Sequence, residues 1–145
     1  MKKYTDPRMH SAEHLLNQTM VRLYNCGRCF SAHIERKKSK CDYHFDHRLS
    51  PEEINEIQSQ VNSVIESNAP VIETFVSRAE AESLYNTDKL PENVSDEDIR
   101  IIHVGEYDAC PCIGEHVTVT GEIGSFRITT TSFDNGVLRI RFKVY

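Results

Sequence analysis

The sequence predicts an α+β fold, a mostly antiparallel sheet with helices packed on it. Two observations carry this. Helical patterns come early while strand-like runs cluster in the last third. Asn135-Gly136 then separates two strand-like runs and is a strong type I′ hairpin signal.

The elements follow in order. Residues 8–24 read as a helix, with Ala12, Leu15, Leu16 and Leu23 on its apolar face and Cys26-Gly27 after it as a stop. Residues 30–35 and 41–47 read as strands; in the second, Cys41, Tyr43 and Phe45 alternate with polar residues. Ser50-Pro51-Glu52-Glu53 starts a second helix, because serine caps, proline suits the first turn and Glu53 completes a capping box. Ile54, Ile57, Val61, Val64 and Ile65 then share one face. Residues 71–76 are strand-like, 78–85 form a short helix, and 88–98 are loop around Pro91. Short strands are expected at 100–104, 117–120, 126–133 and 137–144.

The 145 residues are expected to form a single domain over 1–145. No apolar run reaches the roughly 18 residues of a membrane helix. The polar start, Met1 to Asp6, lacks the apolar core of a signal peptide, so a cytoplasmic location is expected. Cys26, Cys29, Cys41, Cys110 and Cys112 make an odd count, which favours metal binding or burial over disulfides. The net charge of −5 argues against long nucleic acid such as DNA as a partner. The charge is polarised, however. Arg36, Lys37, Lys38, Lys40 and Arg48 gather within 33–48, whereas acidic residues dominate 52–98.

His10 and His14 stand one turn apart on the first helix, a spacing that suits two ligands of one metal. Cys112 and His116 repeat the four-residue spacing just before a strand, and Gly114 between them lets the backbone turn. Together they make a His3Cys set of the kind that holds one zinc ion. Two other readings use these residues. His10-Ser11-Ala12-Glu13-His14 fits the H-x-x-E-H pattern of inverzincin proteases, with Glu13 as general base. Cys26, Cys29, Cys110 and Cys112 are numerous enough for a structural zinc site, while unliganded thiols at 26 and 29 are the plainer alternative.

Taken in order along the chain, the two pairs resemble the editing domain shared by alanyl- and threonyl-tRNA synthetases and the free-standing AlaX-type trans-editing proteins. The resemblance runs from His10-Ser11-Ala12-Glu13-His14-Leu15-Leu16, through Cys112-Ile113-Gly114-Glu115-His116-Val117 and Thr120-Gly121-Glu122-Ile123-Gly124-Ser125-Phe126-Arg127-Ile128, to Asn135-Gly136-Val137-Leu138-Arg139-Ile140. It covers nearly the whole chain. The sequence departs from the family pattern where Ile113 and Glu115 replace a glycine and a threonine, and where Cys110 replaces an acidic residue.

The resemblance implies the threonyl/alanyl-tRNA synthetase second-additional-domain fold and hydrolysis of the ester joining a wrong amino acid to a tRNA 3′ end. Serine or glycine on tRNA for alanine is the expected substrate. Zinc is expected on His10, His14, Cys112 and His116. Glu115 and Asp108, with Glu13 beside them, are candidates to position water. Arg36, Lys37, Lys38 and Lys40 are candidates for the tRNA acceptor end, which is single-stranded and suited to charge contacts and stacking. By the same resemblance Ser31, Ala32, His33 and Tyr107 line the amino-acid pocket. His44 and His47 read as ordinary strand residues. The competing functions are a zinc-stabilised domain that binds tRNA or a synthetase without catalysis, and a divergent hydrolase on the same scaffold.

Overall fold

The computed structural model describes residues 6–85 and 99–145. Helix α1 (Pro7–Tyr24) is capped by Asp6, whose carboxylate accepts from the Arg8 and Met9 amides at 2.8 and 3.4 Å. It ends at Asn25 in the left-handed region. Strands β1 (Ser31–Ile34) and β2 (Ser39–His44) form a hairpin. Helix α2 (Pro51–Glu66) opens with the expected capping box of Ser50 and Glu53. Strand β3 (Val71–Val76) and helix α3 (Arg78–Leu84) follow, then β4 (Ile99–Val104), β5 (Asp108–Pro111), β6 (Phe126–Asp134) and β7 (Val137–Val144). The loop expected at 88–98 lies outside the described residues.

The strands form two sheets, ordered β1-β2-β7-β6 and β3-β4-β5, and every paired strand is antiparallel. In the larger sheet, Ser39, Cys41 and Tyr43 of β2 face Phe142, Ile140 and Leu138 of β7 across the ladder, and all six are buried. α1 and α2 pack on this face, adding Met9, Leu15, Leu16, Met20, Ile57 and Val61 to one core. Between β2 and β7, Arg139 donates to both Asp42 oxygens at 2.8 and 3.0 Å. The smaller sheet carries a second cluster, Ala81, Ile99 and Ile101, under α3.

Two strand expectations are corrected. Residues 117–120 are not a strand: Val119 makes one isolated bridge to Pro70, and Thr120–Ile123 turn into a 3-10 helix. The cause is Thr120, whose hydroxyl reaches the Val64 carbonyl at 2.9 Å and accepts from the Ala69 amide at 2.8 Å. It thereby ties the segment to the end of α2. Strand β5 was not anticipated, because its inward-facing residues are Asp108 and Cys110, which gives no apolar alternation. The second expected strand also ends earlier, at His44, so His47 lies beyond it and bonds Asp46 and Glu53 instead.

The edge strand β6 is held by side chains of α2. Asn62 accepts from the Phe126 amide and donates to its carbonyl, at 2.8 and 2.9 Å, and Gln58 accepts from the Ile128 amide at 2.8 Å. An Asn62→Leu substitution leaves both Phe126 groups without this partner. The expected loss is about 1–3 kcal/mol, read as a lower urea midpoint at unchanged slope.

Candidate metal centre

On α1, His10, Glu13, His14 and Asn17 fall three and four residues apart and so share one face. The face is polar yet enclosed, since Glu13, His14 and Asn17 are all buried. Buried polar groups need partners: His14 meets Asp108 and Cys110 of β5, Glu13 meets Cys29, and Asn17 accepts from Cys29 and Tyr43, while His10 faces the segment that follows β5. Arg100 of β4 donates to the Cys112 and Gly114 carbonyls at 3.1 and 2.7 Å, which fixes that segment's path. The Cys112 amide in turn donates to the Arg100 carbonyl at 3.2 Å. Ser11 accepts from the Val117 amide at 3.1 Å and bonds His116 Nδ1 at 3.0 Å, docking the segment's far end on α1.

This docking brings His10, His14, Cys112 and His116 together, with one ligand atom from each lying within 4.8 Å of all the others. Cys112 Sγ is 3.2 Å from His10 Nε2 and 3.4 Å from His116 Nε2. A tetrahedral zinc site with its usual bond lengths has ligand–ligand edges of roughly 3.3–3.8 Å, so the cluster has the right size.

Each histidine is also oriented through its other nitrogen. His10 Nδ1 meets the Glu115 carbonyl at 3.1 Å, His14 Nδ1 meets Asp108 Oδ2 at 3.3 Å, and His116 Nδ1 meets Ser11 Oγ at 3.0 Å. The carbonyl and the carboxylate only accept, which puts the proton on Nδ1 of His10 and His14. Their Nε2 lone pairs are left for a metal, the arrangement that outer partners impose at metal sites. The thiolate is prepared as well. Burial raises the Cys112 thiol, but bonds from His10, His116 and His14 outweigh it and bring the pKa down to about 2. His116 is lowered to about 4, chiefly by burial, which favours the neutral ring. His14 goes the other way: burial opposes its charge, but Cys110 and Asp108 beside it prevail.

Asp108 is fully enclosed. Its Oδ1 accepts from Gln18 and Arg28, both at 2.8 Å, and its Oδ2 from His14 and Arg28 at 3.3 and 3.2 Å. Burial works against its charge, yet the His14 bond and the Arg28 guanidinium hold the carboxyl far below the usual range. With its acceptor sites filled, Asp108 orients His14 and does not reach out to a water. Glu115 is exposed, and it is its backbone carbonyl that meets His10. Glu13 is the carboxylate beside the ligand atoms: Oε1 lies 3.8 Å from His10 Nε2, and Cys29 Sγ donates to Oε2 at 3.6 Å.

The remaining sequence candidates are dispersed. Cys26 contacts the Met20 carbonyl, Cys29 joins Glu13 and Cys41, and Cys110 joins His14 and Asp108. Among the described residues, the cysteines at 26, 29, 110 and 112 therefore do not form one four-thiol site. Arg36, Lys37 and Lys38 are exposed in the β1–β2 turn, whereas Lys40 is drawn to Asp42 at 3.2 Å. Tyr107 is committed to Thr19 at 2.6 Å and lies under Arg22. Arg28 escaped the sequence reading altogether, because nothing local links it to an aspartate 80 residues away.

Residues 99–141, which include Cys112 and His116, match the family model of the threonyl and alanyl tRNA synthetase second additional domain. The chain is 34% identical to the alanine–tRNA ligase of Halorubrum lacusprofundi over 92% of its length. It is 33% identical to those of Francisella tularensis subsp. mediasiatica and Methanobrevibacter smithii, over 90% and 97% of its length. It spans only 15–16% of these curated relatives. The chain thus carries an editing-type domain of the alanyl/threonyl-tRNA synthetase kind.

Gly114 lies against His10, and a β-carbon there would fall 2.1 Å from His10 Cε1. Gly114→Ala is expected to displace the ring and to lower the zinc bound per chain by elemental analysis, while exposed Ile113→Ala keeps it. Asp108→Asn weakens the hold on His14 without removing a ligand. It is expected to reduce zinc affinity roughly 10- to 100-fold in competition with a chelator.

Proposed function

We propose that this domain hydrolyses mischarged aminoacyl-tRNA, with one zinc ion on His10, His14, Cys112 and His116. The observation that carries the reading is the set of four converging donors with an enclosed carboxylate, Glu13, at its side. The likeness to alanine–tRNA ligases supports tRNA for alanine as the carrier, with serine or glycine as the wrong amino acid. Among the described residues no helix is long and apolar enough to cross a membrane. A cytoplasmic location suits a tRNA substrate.

A zinc ion bound there supplies Lewis acidity toward the ester carbonyl or a bound water. The chain's own groups do the rest. Glu13 accepts a proton from the attacking water as its oxygen bonds to the carbonyl carbon. The bond from that carbon to the ribose oxygen then breaks, and Glu13 returns the proton to the leaving hydroxyl. Cys29 holds Glu13 in place through Oε2. Asp108 and Arg28 are positioning residues that act through His14. Arg36, Lys37 and Lys38, exposed in the β1–β2 turn, are proposed to meet the phosphates of the acceptor end together with Lys40 on β2.

One observation favours a second reading. Four protein donors close a tetrahedral site, the pattern of structural zinc. A zinc-stabilised domain that binds tRNA without cleaving it would carry the same ligands.

Single-turnover deacylation of Ser-tRNA and Gly-tRNA for alanine, and of Ser-tRNA for threonine, separates the two. Hydrolysis by the wild type is expected, lost together with zinc in Cys112→Ala. Glu13→Gln is expected to keep its zinc and lose roughly 10²- to 10⁴-fold in rate. Zinc-loaded wild type that cleaves none of these esters would exclude the editing reading for them and leave the binding role.

A further inference from the structure

Cys41 has no part in the proposed chemistry, and Cys29 enters it only as a donor to Glu13. The C-x-x-C spacing points to Cys26 as the partner of Cys29. In the fold, however, Cys26 Sγ turns to the Met20 carbonyl at 3.6 Å, while Cys29 Sγ meets Glu13 Oε2 at the same distance. Cys41 completes the group. One donor atom from each of Glu13, Cys29 and Cys41 lies within 4.8 Å of the other two, and all three residues are buried.

The scaffold holds these donors in place. Asn17, one turn after Glu13 on α1, accepts from the Cys29 amide at 3.1 Å and from the Tyr43 hydroxyl at 2.7 Å. Tyr43 stands two residues from Cys41 on β2 and shares its buried face. Cys41 itself sits inside the sheet, opposite Ala32 of β1 and Ile140 of β7. Asn17 thus ties both cysteine-bearing segments to the part of α1 that carries Glu13.

Two thiols and a carboxylate suit a thiophilic or borderline dication. A tetrahedral zinc site has a sulfur–oxygen edge of about 3.5 Å and a sulfur–sulfur edge of about 3.8 Å. The Cys29–Glu13 separation of 3.6 Å matches the first. On binding, each thiol gives its proton to solvent. Two thiolates and one carboxylate around a dication then leave a single negative charge. A dication on His10, His14, Cys112 and His116 leaves a single positive one. Glu13 bridges the two groups, with Oε1 3.8 Å from His10 Nε2 and Oε2 on Cys29. The two charges therefore offset each other where both are withdrawn from water.

We propose that Glu13, Cys29 and Cys41 form a second, inhibitory site for a thiophilic dication such as zinc or cadmium. An ion there takes the Glu13 carboxylate as a ligand and so removes the base that the proposed hydrolysis uses. The effect on rate rests on the editing reading; the binding does not. Zinc per chain is measured at rising free zinc. Cadmium, whose thiolate bonds absorb in the ultraviolet, is then titrated into the zinc-loaded protein. Wild type is expected to rise from one zinc to a second and to gain the cadmium–thiolate band. Cys41→Ala and Cys41→Ser are expected to keep the first zinc, which reports that they fold, and to lose the second and most of the band. With Ser-tRNA for alanine, wild-type hydrolysis is expected to fall toward the Glu13→Gln rate as the second zinc binds, while both variants keep the uninhibited rate.

Wild type that stops at one zinc and shows no band overturns the proposal and leaves the first centre as it was. The wild-type zinc count and band decide this even where a variant fails to hold the first zinc. A second zinc that survives both changes at Cys41 overturns it as well. Loss of both thiols with a mass lower by their hydrogens, and no second ion, assigns the pair to a disulfide instead. A second zinc that depends on Cys41 but leaves hydrolysis at full rate overturns the inhibitory role. A second zinc that depends on Cys41, in a protein that cleaves no ester, leaves the site standing while the editing reading fails.

Discussion

The contact between α1 and the segment 112–117 is the constraint on which the site depends. It joins residues more than 100 positions apart: Cys112 to His10, His116 and Val117 to Ser11. Neither partner is complete without the other. The helix offers imidazoles and a hydroxyl that would be poorly satisfied against an apolar surface. The segment offers a thiol, a histidine and the Val117 amide, which Ser11 accepts from. Closing so long a loop costs conformational entropy, which the two sheets offset by aligning β5 beside α1. The core under α1 and α2 thus fixes how well the four donors converge.

Electrostatics inside the contact are balanced rather than neutral. Arg28 and Asp108 are an enclosed ion pair, and such pairs persist when their hydrogen bonds are complete. Here they are complete, because Gln18 and His14 take the remaining Asp108 acceptor sites. The negative charge of Asp108 is thereby spent on orienting His14. The thiolate of Cys112 is left as the anionic donor among three imidazoles. That donor combination suits a soft-to-borderline dication over a hard one. Glu13 differs from Asp108 in having the Cys29 thiol, a weak donor, on one oxygen and the ligand cluster on the other.

Much of this was legible in the sequence because it was local. Helix caps at Ser50 and Glu53, the Asn135-Gly136 turn and the two four-residue ligand spacings all act within a few residues. Both Asn135 and Gly136 indeed have positive φ. What escaped was non-local or inverted. β5 presents Asp108 and Cys110 inward, so the alternation that marks a strand was absent. Thr120 bends 117–123 only because the end of α2 stands beside it. Asp108 looked like a free carboxylate until Arg28 came alongside. The pairing of Cys29 with Glu13 and Cys41, in place of its near neighbour Cys26, reflects strand register, which spacing alone does not reveal.

The same distinction bears on how an acidic chain can engage RNA. A net charge of −5 opposes long-range attraction to a polyanion. At physiological ionic strength, however, exposed charges are screened beyond about 8 Å, so a ligand senses the patch it touches more than the sum. The β1–β2 turn presents Arg36, Lys37 and Lys38. Binding of this kind draws on a few close contacts, not on counterion release along a duplex. Such a patch suits a short unpaired strand over a long helix.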